Sequence, residues 1–137
     1  MDTKIRKRAV VYKADLLYPE LCYRIIGIVF DIFYKVGYGF TEKQYGKAIE
    51  IALKETGLDY KKELPVRINY KNTFLTTNYL DFLIDNKIIL ELKQGNLFLK
   101  KDIDQIYKYL KITNLKLGLL IKFTRSGVKF KRIVNIN

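Results

Sequence analysis

The sequence predicts one α/β domain, a central mixed β-sheet flanked by helices, with elements in the order α-α-β-β-β-α-β-β. Three observations carry that prediction. Two amphipathic stretches of helical period open the chain, over 19–36 and 42–55. Residues 78–93 alternate apolar and polar side chains around a turn signal, as a hairpin does. Leu115–Phe123 is a nearly continuous apolar run, the pattern of a strand covered on both faces. At 137 residues, 49% apolar and 29% charged, the chain has the size and composition of one globular unit.

Residues 1–15 read as a basic N-terminal arm around Lys4-Ile-Arg-Lys-Arg8, either solvated or touching a nucleic-acid backbone, and 16–137 as the domain. The first helix is expected over Pro19–Val36. Pro19 is tolerated in its first turn, Leu21, Ile25, Ile28, Ile32 and Val36 form its apolar stripe, and Gly37 ends it. Thr41 reads as the N-cap of the second helix, with Gln44 as its capping-box partner and Gly57 as its stop. Tyr45, Ala48, Ile49, Ala52 and Leu53 share one face of it. In the first strand Leu64, Val66, Ile68 and Tyr70 alternate with polar neighbours, and Pro65 assigns that strand to an edge or a strand start. Strands over 74–84 and 88–93 follow. A third helix comes after Gly95, with Leu99, Ile103, Ile106 and Leu110 as its core face. The apolar run and a last strand over 128–136, bearing Lys129, Lys131 and Arg132, complete the sheet.

A formal charge of +12 points to a polyanionic partner, nucleic acid or an acidic membrane surface. No stretch reads as a membrane span, because the most apolar helix is interrupted by Arg24 and Asp31. The basic start is not followed by an apolar stretch, so no signal peptide is expected. Cys22 is the only cysteine and sits among apolar neighbours, which suits packing in an intracellular, cytoplasmic protein. Histidine is absent. That excludes Ser-His-Asp and Cys-His catalysis and histidine-bound zinc. Hydrolysis would have to run on carboxylates, lysine, tyrosine and a hard cation.

The chemistry concentrates in the hairpin. If its loop is the three residues 85–87, Ile84 pairs with Ile88 and Asp81 falls opposite Glu91, with Cβ atoms about 5 Å apart. Like charges so placed repel, and Lys93 points to the same face as Glu91. Two carboxylates and a lysine inside an apolar hairpin suit a divalent cation with a neighbouring base or phosphate anchor. A two-residue turn at 85–86 would instead pair Asp81 with Leu90 and turn Glu91 to the opposite face. Glu42, in the first turn of the second helix, reads as macrodipole complementarity or as a third ligand to a metal or its water. Gln105 and Tyr109, four apart, read as a helix flank or as holders of a nucleic-acid backbone or an attacking water.

Asp81, then Glu91-Leu-Lys93, then Gln105-Ile-Tyr-Lys-Tyr109 resembles the PD-(D/E)xK nuclease superfamily, in its branch with a Gln-x-x-x-Tyr helix. The small GxxExxR proteins are the subgroup it is most similar to, through Ile25-Ile-Gly27, Gly37-Tyr-Gly-Phe-Thr-Glu42, Gly57-Leu58, Tyr109-Leu-Lys111, Leu117–Phe123 and Lys131–Asn135. The resemblance runs from about Leu16 to the end. Leu80 stands where the superfamily's name has Pro, and Tyr79 where many subgroup sequences have Arg, which takes a phosphate contact out of the expectation.

The resemblance implies a restriction-endonuclease-like fold and a role for each residue. Asp81, Glu91 and the backbone carbonyl of Leu92 would bind Mg²⁺ or Mn²⁺, and Glu42 would support the metal or its water. Lys93 would position or deprotonate the attacking water, and Gln105 and Tyr109 would orient the nucleic acid. The expected activity is metal-dependent hydrolysis of DNA, favoured over RNA, with low sequence specificity. A homodimer or a targeting partner could supply direction. The alternatives are a non-cleaving nucleic-acid-binding module of the same fold and an interaction protein with a basic surface.

Overall fold

A computed structural model describes residues 17–136. The basic arm expected over residues 1–15 lies outside the described residues. Helices α1 (Pro19–Val36), α2 (Glu42–Thr56) and α3 (Lys100–Thr113) pack on a five-stranded sheet of β1 (Tyr60–Tyr70), β2 (Thr73–Ile84), β3 (Ile88–Leu92), β4 (Leu117–Thr124) and β5 (Gly127–Val134). The expected element order and α/β class both hold.

Local chemistry sets the helix ends. Thr41 Oγ1 accepts from the Gln44 backbone N–H (3.1 Å) while Gln44 Oε1 accepts from the Thr41 N–H (2.9 Å), closing the capping box. Gly57 ends α2 at φ 73°, a left-handed turn that glycine adopts without penalty. Two positions depart from the expected stripes. Val36 is half exposed at the last turn of α1, and Leu99 is the N-cap of α3 and also largely exposed. Both sit where a helix ends and its buried face runs out.

The strands lie in chain order, β1-β2-β3-β4-β5, and every junction is antiparallel except the parallel one between β3 and β4. α1 and α2 cover one face, over Phe82, Ile84, Ile88, Leu90, Leu119 and Ile121. α3 covers the other, over Val66, Leu80, Leu83, Ile89 and Leu120. Both faces of β3 and β4 are therefore buried. Burying each of these aliphatic side chains is worth roughly 1.5–3 kcal/mol. Pro65 lies on edge strand β1, as its missing N–H requires. Edge strand β5 carries Lys129, Lys131 and Arg132, charges that discourage pairing with another chain.

Candidate active site

The loop of the β2–β3 hairpin is the three residues 85–87, because Ile84 pairs with Ile88, Leu83 with Ile89 and Phe82 with Leu90. Asp85 and Asn86 both take φ 54°, so the Lys87 N–H reaches back to the Ile84 carbonyl (3.0 Å). Lys87 itself stays outside the ladder. That third residue decides the register and brings Asp81 to Glu91.

Beyond Phe82 the two side chains take over from the ladder. The Asp81 backbone N–H donates to Glu91 Oε1 (3.1 Å), and the Leu92 N–H donates to Asp81 Oδ2 (2.7 Å). Glu91 is 4% exposed and follows Ile89 onto the α3 face. Burial pushes its carboxyl up to about 8, and the Asp81 charge pushes the same way, against the Asp81 N–H and Lys93. A group so placed keeps a proton, or gives it up to a cation.

Opposite Asp81, the β1 ladder is broken: Lys62 pairs with Phe82 and Leu64 with Leu80, while Glu63 between them stands at φ 54°. Leu80 packs on the α3 side and Phe82 on the α1–α2 side, so the alternation slips at Asp81. A left-handed glutamate in a strand is strained. No sequence signal marks it.

Lys93 follows β3, and its backbone N–H donates to the Ile121 carbonyl (3.0 Å), extending the parallel pairing with β4. The side chains thus gather at the carboxyl ends of the parallel strands, where open α/β sheets form their clefts. Glu42, the first residue of α2, bridges two cavities there. One of about 260 Å³ is lined by Glu42, Lys62, Glu63, Asp81 and Leu92, and another of about 290 Å³ by Glu42, Tyr45, Lys93 and Gly95. Burial pushes the Glu42 carboxyl above its usual range; Lys93 and Lys122 oppose that, while Asp81 and Asp102 add to it. A third, open trough of about 540 Å³ carries Asn78, Lys93, Gln105, Lys108 and Tyr109.

Tyr109 is not a free helix flank. It is 2% exposed and belongs to the core under α3. Burial raises its phenol, and hydrogen bonds with Asn78 and Gln105 work against that rise. Asn78 therefore ties β2 to α3 beside Gln105, a role the sequence reading missed. Lys122 was missed too. It is wholly buried, donating to the Gln94 carbonyl (2.9 Å) with its ammonium 5.9 Å from the Phe98 ring centre. A charge inside the apolar run of β4 was the available signal.

The oxygen donors of Asp81, Glu91 and Glu42 suit a hard divalent cation, and the proton held between the first two is what such an ion would replace. Among the described residues, however, no three acidic side chains stand close enough together to hold a metal as they lie.

A family model described as PD-(D/E)XK nuclease superfamily matches residues 19–133. Among solved structures, the crystal structure of SSO0001 is similar, with a TM-score of 0.56 and 20% identity, over 68% of this chain and 49% of that one. This chain thus spans about half the length of that protein, and at such identity the likeness concerns the fold alone. The curated proteins give no match. No described helix is long and apolar enough to cross a membrane.

Proposed function

The chain belongs to the PD-(D/E)XK nuclease superfamily, and on that premise we propose that it hydrolyses phosphodiester bonds of DNA, with Mg²⁺ or Mn²⁺ and little sequence specificity. The observation that carries the reading is the Asp81–Glu91 pair, two carboxyls facing each other in a buried hairpin with Lys93 directly after it. Losing the Glu91 proton beside Asp81 is costly to the fold unless a cation takes its place.

Asp81, Glu91 and the Leu92 carbonyl hold the cation, with Glu42 supporting it or its water. Once bound, a divalent ion polarises the phosphate and makes a nucleophile available from water near neutral pH. Lys93, fixed by its backbone bond to β4, holds the attacking water and offsets charge that develops on the phosphate. Gln105 and Tyr109 orient the nucleic-acid backbone along the trough they share with Lys93. The net charge of +12 holds the polyanion and makes binding weaken with salt.

The test uses circular single-stranded and supercoiled double-stranded DNA with Mg²⁺, Mn²⁺ or EDTA, and Lys93→Ala beside the wild type. Metal-dependent cutting lost in the variant, by a factor of roughly 100 or more, is expected. Salt-sensitive binding with no metal-dependent product from circular or linear DNA would instead assign a non-cleaving module of the same fold.

A further inference from the structure

The hairpin of β1 and β2 is much longer than the sheet needs. β2 pairs with β3 only over Phe82–Ile84, yet it runs on with β1 to the Tyr70↔Thr73 pair. The root is secured to α3 by buried Val66, partly buried Ile68 and the Asn78–Tyr109 hydrogen bond. Past that root every residue from Asn69 to Thr76 is exposed. At about 3.3 Å per residue, the strand from Asp81 back to Asn72 spans roughly 30 Å.

The chemistry of this ribbon is one-sided. No acid occurs between Glu63 and Asp81, whereas Arg67, Asn69, Lys71, Asn72, Thr73 and Thr76 are all exposed. These are donors and acceptors of the kind that meet phosphates and base edges. The Arg67 guanidinium lies 4.3 Å from the Phe74 ring centre and the Lys71 ammonium 5.2 Å from that of Tyr70. Each ring thus has a face taken by the ribbon's own cation, which holds that cation in place and leaves less ring surface for stacking unpaired bases. With strands about 4.8 Å apart, a two-stranded ribbon fits a major groove about 12 Å wide.

We propose that the β1–β2 ribbon enters the major groove of double-stranded DNA, gripping it through Arg67 and Lys71 up to about one helical turn from the phosphate at Asp81. This rests on the nuclease reading above and deepens it, making duplex DNA the substrate class. The ribbon continues the strand that carries Asp81, so the grip on the groove and the chemistry share one rigid element.

The test compares wild type with Arg67→Ala/Lys71→Ala. Both side chains are exposed, and an unchanged melting temperature confirms the fold. Binding is measured in EDTA and cutting in Mg²⁺, on a duplex of roughly three helical turns and on a single strand too short to reach the ribbon tip. The variant is expected to lose duplex affinity at least roughly tenfold, and about two units of the slope of log affinity against log salt, with the short strand bound and cut as before. Unchanged duplex affinity and slope in a variant that cuts like wild type would overturn the ribbon's role and leave the nuclease reading standing. Equal losses on both substrates would also overturn it, since they would signify only a weaker general field. A wild type that neither binds nor cuts either substrate would overturn the nuclease reading itself.

Discussion

At the scale of single residues, the carboxyl of Glu91 sets a pH dependence. It holds its proton up to about pH 8 when folded, against 4.5 for an exposed glutamate. The folded state therefore binds that proton more tightly than the unfolded chain. The stability this confers is fully present below about pH 4.5 and is lost as pH rises through about 8. Without metal, the melting temperature should fall across that window. Glu91→Gln, neutral throughout and nearly isosteric, should remove most of the fall. Thermal denaturation in EDTA across the window checks this, and equal slopes in the two proteins would sink it. How a single position reads from sequence depends on what fixes it. The meeting of Asp81 with Glu91 was legible because the loop length fixes the register of the hairpin. Two loop lengths remained open, since the left-handed Asp85-Asn86 pair fits either, and the unpaired Lys87 chose between them. Glu63 and Asn78 were not legible, because nothing local marks the left-handed Glu63 and Asn78 owes its role to Tyr109 on another element; the charge of Lys122 inside an apolar run was a signal passed over.

At the scale of elements, the ends of α1 and α2 were legible because their signals are local: Pro19, Thr41 with Gln44, and the glycines at 37 and 57. The burial of Tyr109 was not, since the hydrophobic stripe of α3 is broader than the four residues that suggest it. That breadth comes from how closely α3 lies on β4. A Cβ at Gly118 would stand 2.5 Å from Ile106 Cγ2 and 3.7 Å from Leu110 Cδ1. Both partners are wholly buried, and the branch of Ile106 is too near its backbone to swing aside. Gly118→Ala should therefore cost roughly 1–3 kcal/mol by lifting α3 from the sheet. Urea denaturation measures it, and a neutral result would mean the helix can shift freely. Because α3 carries Gln105 and Tyr109, the same substitution should disturb the trough they line.

For the whole molecule, 26 basic against 14 acidic residues make a field that draws polyanions. Within that excess Glu42, Glu63 and Asp81 line one cavity, and Asp81 meets Glu91 across the hairpin. The parallel junction of β3 with β4 also sets the order in which the parts come together. The carboxylate hairpin closes over three loop residues, but Lys93 is anchored only when β4 arrives after the long crossover through α3. Local closure is fast and long-range pairing slow. The two acids thus meet early in folding, while the lysine beside them is fixed late. Pulse-labelled hydrogen exchange should protect the amides of the Ile84–Ile88 turn before that of Lys93, and simultaneous protection would refute this order. A chain caught between those two moments would have its acids in place and its lysine still unanchored, so competence for chemistry would arrive only with the last long-range contact.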